Sequence, residues 1–257
     1  MDLRNILDDF ANGSLSLDEV TKQISIHAIE KLGEIAKLDA GREVRKGMPE
    51  IIFAENKEYR DVIRITLAAV RANGQAVVSR IRKAEISRIA GALRRKGLIL
   101  ELGKNSTTIL ASDKSFRRKN TTAKIGIMAA GTSDIGVAEE ARLVAKAMGC
   151  DSITSYDVGI AGMHRLFPAL KEMIAKDTGA IVVVAGMEGA LASVVASMVD
   201  VPVVGVPTSV GYGFGANGVA ALASMLQSCT LGLAVVNIDN GVGAGAYAAS
   251  IAKRIKK

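Results

Sequence analysis

AIVVVAGMEGALASVVASMVDVPVVGVPT, residues 180–208, decides the fold. Its two apolar runs are rich in β-branched residues and bounded by Gly or Pro, which predicts strands. Between them, residues 189–198 have the length and composition of a helix. A strand covered on both faces reads as a continuous apolar run, as strands do in a parallel sheet lying between two helical layers.

The same unit occurs five times after residue 120. KIGIMAAG (124–131) leads to a helix expected at 135–148, and SITSYDVG (152–159) to one at 163–175. The quoted stretch supplies the third strand and helix. VPVVGVPT (201–208) then leads to helix 217–228, and LAVVNID (233–239) to a terminal helix. The fold class is therefore α/β, a Rossmann- or flavodoxin-like doubly wound parallel sheet with expected strand order 2-1-3-4-5. A ligand of such a sheet sits beyond the carboxyl ends of the strands, where the order switches between the first and third.

The first half follows a different pattern. Leu3, Ile6, Leu7 and Phe10 have helical spacing, and SLSLDEVTKQI resumes it, so the first 40 residues are expected to be helical. PEIIFA, a charged helix near 57–72, QAVVS, the helical KAEISRIAGALRRKG, LILEL and TTILA then suggest a small α+β domain. SDKSFRRKNTT (112–122) is the linker candidate, which divides the chain into 1–118 and 119–257.

Composition narrows the function classes. A 49% hydrophobic and 23% charged chain is globular rather than disordered. The apolar runs stop well short of the roughly 20 residues of a membrane span. MDLRNILDDF is acidic where a signal peptide would be basic, so a cytoplasmic protein is expected. The two cysteines, Cys150 and Cys229, make neither a disulfide framework nor a CxxC pair. Residues 71–119 hold 13 basic and 3 acidic side chains, either a solvated face or a patch for a phosphate-bearing ligand. With Phe116 the single aromatic in that stretch, nucleic acid is the less favoured partner.

The strand-end loops carry the chemistry. GTSDIG offers Gly131 for a tight turn, and Thr132, Ser133 and Asp134 to cap a helix whose free N–H groups favour an anion. The second loop holds Asp157, His164 and Arg165; the histidine is either a surface residue or a proton shuttle. The other histidine, His27, is expected in an amphipathic helix with no role. In the third loop, Glu188 stands between Gly186–Met187 and Gly189, either compensating a helix dipole or facing a ligand. The fourth, VPTSVGYGFGANG, contains Ser209, Tyr212, Phe214 and Asn217, glycine-rich with two rings that could stack on a flat ligand. The fifth opens the last helix with Asp239 and Asn240. Together these loops suit a nucleotide-sized ligand, and no His/Cys/Asp cluster suggests structural zinc.

GTSDIGVAEEA, YDVGIAGMHRL, residues 182–229 and AVVNIDNGVGAGAYAA resemble the LarB family of nickel-pincer nucleotide biosynthesis. The carboxyl-terminal domain of that family is related to AIR carboxylase. LDAGREVRKGMPEIIFAENK (38–57) resembles the family's amino-terminal signature, paired arginines followed by GxPE[VI]IF. Segment 70–120 carries no recognisable part of the pattern. The resemblance implies an enzyme that carboxylates the pyridinium ring of nicotinic acid adenine dinucleotide and hydrolyses its phosphoanhydride. The carbon source is CO2 or bicarbonate, and the products are AMP and pyridinium-3,5-biscarboxylic acid mononucleotide. Magnesium, with ligands unknown, and a homo-octamer are expected with it.

Within that resemblance Cys229 becomes the nucleophile. An electron-poor pyridinium will not attack CO2, but a thiolate added at C4 makes C5 enamine-like, and a thiolate also leaves well. Glu188 is the leading base for the C5 proton and His164 the second. The GTSD helix start, Arg165 and the metal would hold the phosphoanhydride, and Arg42, Arg45 and Lys57 would face the dinucleotide's charges. Cys150 is expected to be structural. One geometric difficulty accompanies this assignment: a helix ending at 228 runs back to the amino edge of the sheet, away from the switch. Either that loop folds back, or a neighbouring subunit completes the site. Two alternatives stand beside the carboxylase. GMHRLFP also resembles the His-Arg-x-x-Pro stretch of the purine carboxylases and mutases. A non-enzymatic nucleotide- or nucleic-acid-binding protein could use KAEISRIAGALRRKG and the following strands as a helix with a wing.

Overall fold

The computed structural model describes residues 3–25, 29–32, 36–39, 41–118 and 121–256. The chain forms two compact units. Unit 1 comprises residues 1–100 and 110–116; unit 2 comprises 101–109 and 117–257.

Unit 1 opens with helices α1 (Leu3–Ala11) and α2 (Leu17–Ile24). Ser16 and Glu19 start α2 with a reciprocal capping box, Glu19 N–H donating to Ser16 Oγ and Ser16 N–H to Glu19 Oε2. The expectation of helix throughout the first 40 residues is corrected here. β1 (Ile29–Leu32) and β2 (Ala36–Asp39) form an antiparallel hairpin, because cross-strand pairing outweighs a helical spacing that is only a weak prior. His27 lies outside the described residues. After α3 (Arg42–Lys46) come β3 (Ile51–Phe53), α4 (Tyr59–Asn73) and β4 (Gln75–Ser79). β3 and β4 are parallel, Ile51 opposite Val77 and Phe53 opposite Ser79. α4 stops at Gly74, whose φ of 75° suits glycine; a Cβ there would lie 2.2 Å from the Phe116 ring. α5 (Ile86–Arg95), β5 (Ile99–Leu102) and β6 (Ile109–Ser112) follow, and the sheet runs β3-β4-β6-β5.

Unit 2 is the doubly wound sheet. Its strands are β7 (Lys124–Ala129), β8 (Asp151–Tyr156), β9 (Ala180–Ala185), β10 (Val203–Pro207) and β11 (Leu233–Val235). All pair in parallel in the order β8-β7-β9-β10-β11, the predicted 2-1-3-4-5. α6 (Ile135–Ala147), α7 (Leu166–Ala175), α8 (Ala190–Ala196), α9 (Val219–Leu226) and α10 (Gly241–Ile255) connect and cover it. Every residue of β9 is buried, as its unbroken apolar run requires. β11 is shorter than LAVVNID suggests, because the chain leaves the ladder at Val236 and turns through Asp239. α10 lies close against α6: a Cβ on Gly245 would come within 2.3 Å of Ala141 O, so only glycine allows that approach.

Residues 101–109 pack on α6 within unit 2. Glu101 pairs with Arg142 at 2.8 Å and Lys146 at 2.6 Å, and Lys104 N–H donates to Glu139 Oε2 at 3.0 Å. Arg142 also grips Glu139 through two nitrogens, and Tyr156 Oη donates to Glu139 Oε1 at 2.5 Å. Among the described residues, no helix is long and apolar enough to cross a membrane.

Candidate functional site

A crevice of about 380 Å³ opens at the carboxyl ends of β7 and β9, where the strand order switches. Ala130–Asp134 form one wall, Asp157 with Gly159–Ala161 a second, and Ala185–Glu188 with Ala190, Leu191 and Val210 a third. This is the position expected for a ligand of a parallel sheet. A wider concavity of about 520 Å³ lies at the amino edge, among Lys124, Lys146, Cys150 and Lys176. It carries none of the strand-end loops, so the crevice is the better candidate despite its smaller size.

Asp134 organises the crevice. It is buried, and its carboxylate accepts from Thr208 Oγ1 at 2.7 Å and Gly131 N–H at 2.9 Å. The Gly186 N–H also bonds to it. One side chain thus ties together the loops after β7, β9 and β10. Burial pushes its carboxyl above the usual aspartate range, although those three hydrogen bonds act the other way. Asp134 was expected to cap the helix together with Thr132 and Ser133. Instead residues 132–134 form a 3₁₀ turn, and no side chain caps α6. Thr132 and Ser133 are left lining the crevice beside the start of α6.

The third loop is held in an uncommon conformation. Met187 has φ 53°, and its N–H donates to Val210 O at 3.0 Å. For a long apolar side chain this left-handed geometry stores strain, which clusters at ligand sites. A Cβ on Gly186 would meet Val210 O at 2.3 Å, so glycine is needed for the loop to pass there. Glu188 follows, exposed and lining the crevice as expected. Asp157, with φ 61°, is ion-paired to Arg165, fixing the second loop. His164 is exposed in the 3₁₀ segment Ile160–Arg165 and does not line the crevice.

The fourth and fifth loops hold each other. Ser209 N–H donates to Asp239 Oδ1 at 2.9 Å, and Asn240 Oδ1 accepts from Gly243 N–H at 2.8 Å, capping α10. Asp239 and Asn217 also have positive φ. Tyr212 and Phe214 are almost wholly exposed and lie outside the crevice lining. Thr208 and Val210 were not singled out from the sequence, nor were Ala130, Gly159, Ile160, Ala161, Ala190 and Leu191. Their signal is position alone, in a strand-end loop or, for Ala190 and Leu191, in the first turn of α8.

Cys229 stands at the other edge. It is exposed in the loop between α9 and β11, where Gly232 O accepts from Val203 N–H at the very start of β10. The crevice lies at the far end of the strands, and a five-residue strand such as β10 is roughly 17 Å long. Within one chain, then, Cys229 and Glu188 are on opposite edges of the sheet. Cys150 is buried, its thiol facing Ala123 O at 3.3 Å, and burial pushes its pKa up to about 11. That is the inert thiol expected.

In unit 1, Arg45 is engaged with Asp39 at 2.5 Å and Ser25 O, Arg42 lies 3.8 Å from Glu50, and Lys57 donates to Phe53 O at 2.8 Å. The paired arginines therefore brace α3 and the strand beside it. Among the described residues, no three His, Cys, Asp or Glu side chains gather as a metal cage.

Residues 124–257 match the family model AIR carboxylase, and residues 29–112 match the model LarB/PurE-like N-terminal domain. The second match includes most of segment 70–120, which the sequence pattern alone does not place. An uncharacterized protein of Methanocaldococcus jannaschii is 48% identical over 99% of this chain and 98% of its own length. The N5-carboxyaminoimidazole ribonucleotide mutases of Thermotoga maritima and M. jannaschii are each 33% identical. Those matches cover 50% and 49% of this chain, and 74% and 77% of the mutases.

Proposed function

This chain belongs to the LarB family, its second half an AIR carboxylase domain, and from that premise we propose that it carboxylates the pyridinium ring of nicotinic acid adenine dinucleotide. In the same site water cleaves the phosphoanhydride, so that AMP and pyridinium-3,5-biscarboxylic acid mononucleotide leave. The observation that carries this reading is the pairing, in one chain, of an AIR carboxylase-type crevice with a LarB-type first domain.

The chain's residues take these roles. The Cys229 thiolate adds to ring C4 and shifts electron density onto C5, which bonds to CO2. Glu188 then takes the C5 proton, the electron pair re-forms the aromatic ring, and the C4–S bond breaks to release the thiolate. Thr132 and Ser133, in the turn that leads into α6, would receive the phosphates, and Arg165, oriented by Asp157, would add charge. Magnesium would accompany the phosphates. The carboxylates here do not fit a protein-built seat for it: Asp134 and Asp239 already accept protein hydrogen bonds, and Asp157 is paired.

Because Cys229 and Glu188 lie on opposite edges of one sheet, the cysteine acts in a neighbouring copy's crevice. The surroundings of Cys229 suit such an assembly, with Leu226 64% and Leu231 91% exposed on either side of it. Contiguous exposed apolar residues mark interaction surfaces. An octamer is the assembly the family resemblance implies.

Conversion of nicotinic acid adenine dinucleotide, bicarbonate and Mg2+ to AMP and the biscarboxylated mononucleotide is the expected assay result. A Cys229→Ala chain that still carboxylates would rule the mechanism out. The mutases that resemble unit 2 favour a second reading, a purine carboxylase or mutase. Turnover of aminoimidazole ribonucleotide, with none of the dinucleotide, would select it.

A further inference from the structure

Unit 1 has parallel strand ends of its own. Beyond β3 and β4, loops 54–58 and 80–85 run side by side, joined by Ala54 N–H to Ser79 O at 2.8 Å and Arg82 Nη2 to Lys57 O at 3.1 Å. Each loop contains a non-glycine residue with positive φ, Asn56 at 61° and Arg80 at 54°. Asparagine tolerates that conformation, whereas Arg80 holds it with its guanidinium donating to Glu55 Oε2 at 3.2 Å in the facing loop. Strain of this kind, at the carboxyl edge of parallel strands, marks a place where a ligand is met.

The side chains at this edge alternate rings and guanidinium groups. Phe53 is 44% exposed, with the Arg80 guanidinium 5.9 Å from its centroid. Arg88 lies 3.7 Å from the Tyr59 centroid and donates to Tyr59 Oη at 2.7 Å; Arg60 Nε donates to the same oxygen at 2.9 Å. These cations hold the phenol below its ordinary pKa, Arg60 foremost. The basic stretch 71–119 contains no tyrosine or tryptophan, yet folding sets Arg80 and Arg88 against rings supplied by residues 53 and 59. Guanidinium groups stacked on aromatics are the usual apparatus for a flat base and a phosphate.

We infer that the carboxyl edge of β3 and β4 in unit 1 is a second ligand site that binds a mononucleotide, the base against Phe53 and the phosphate on Arg80 and Arg88. Residues 53–64 and 79–88 together hold seven basic and four acidic side chains. That excess suits one phosphate, whereas Glu55, Glu58, Asp61 and Glu85 would repel the continuous backbone of a nucleic-acid strand. The inference stands whether or not unit 2 carboxylates a pyridinium ring.

The test is photolabelling of the full-length protein with 8-azido-AMP, with labelled peptides located by mass spectrometry. Label is expected within residues 53–60 and 80–88, and AMP in excess should compete it away. Arg80→Gln with Arg88→Gln should reduce that label about tenfold, the effect of losing a charge-assisted hydrogen bond, and leave crevice peptides 131–134 and 186–189 labelled as before. Phe53→Leu keeps the apolar bulk, removes the ring and should lower the same label, which covers a double variant that fails to fold. Label confined to the crevice peptides, or undiminished in both variants, overturns the inference. So does binding of oligouridylate much tighter than AMP and lost with the same substitutions, which would make this edge an RNA surface.

Discussion

Thr208 Oγ1 donates to Asp134 Oδ1 at 2.7 Å across 74 positions of sequence, and both residues are buried beneath the crevice. With the Gly131 and Gly186 N–H groups on the same carboxylate, three strand ends are held in one arrangement. Thr208→Val should cost about 1–3 kcal/mol in chemical denaturation, because an acceptor loses its donor where water cannot replace it. Asp134 has a raised pKa, so its contribution is complete below the ordinary aspartate value and is lost as pH rises through the raised one. Asp134→Asn should therefore gain on the wild type between acid and neutral pH; a constant gap would argue that the carboxyl titrates normally.

The Glu139 cluster has the opposite sign. Burial disfavours its charge, but Arg142, Tyr156 and the Lys104 N–H outweigh burial and hold the carboxyl below the ordinary value of 4.5. Its stabilisation is complete above that value and is lost as pH falls through the lowered one. Glu139→Gln should cost roughly 3 kcal/mol at neutral pH, since Arg142 is left without its main partner in a half-buried place. The difference from wild type should narrow in acid, measured as unfolding free energies across a pH series.

The sheet order was legible because strands buried on both faces must be continuous apolar runs, as β7, β9 and β10 are, while the edge strand β8 is polar and partly exposed. The crevice was legible for the same reason, since topology alone fixes which loops meet at the switch. Hydrogen bonds inside those loops were not. Asp134 and Thr208 are each ordinary residues after a strand, and only the fold reveals that one bonds the other. The β1–β2 hairpin was hidden by a helical spacing that pairing overrode. The ring-and-guanidinium edge of unit 1 was hidden because its parts come from separate segments of the chain.

The two thiols should separate cleanly in the native protein. Cys150, buried with a pKa of about 11, stays protonated and shielded, whereas Cys229 is exposed. Iodoacetamide at neutral pH should modify Cys229 alone, and both cysteines once the chain is denatured. Nicotinic acid adenine dinucleotide should slow the Cys229 reaction if the thiol reaches the ring. Peptide mass mapping with and without the dinucleotide reads both results, and native modification of Cys150 would mean that the β8 edge opens.

If Cys229 of one copy serves Glu188 of another, inactive variants should complement each other. Cys229→Ala keeps a working crevice and Glu188→Gln keeps a working thiol; each alone should lose about 10²-fold or more in carboxylation. Co-refolding equal amounts lets some interfaces combine the intact crevice of the first with the intact thiol of the second. Random pairing at a single type of interface makes about a quarter of the sites whole, so about a quarter of the wild-type rate should return. Mixing the folded variants without exchange of subunits should restore nothing. Were both residues to act within one chain, no mixture could recover activity, because every site would still lack one of them.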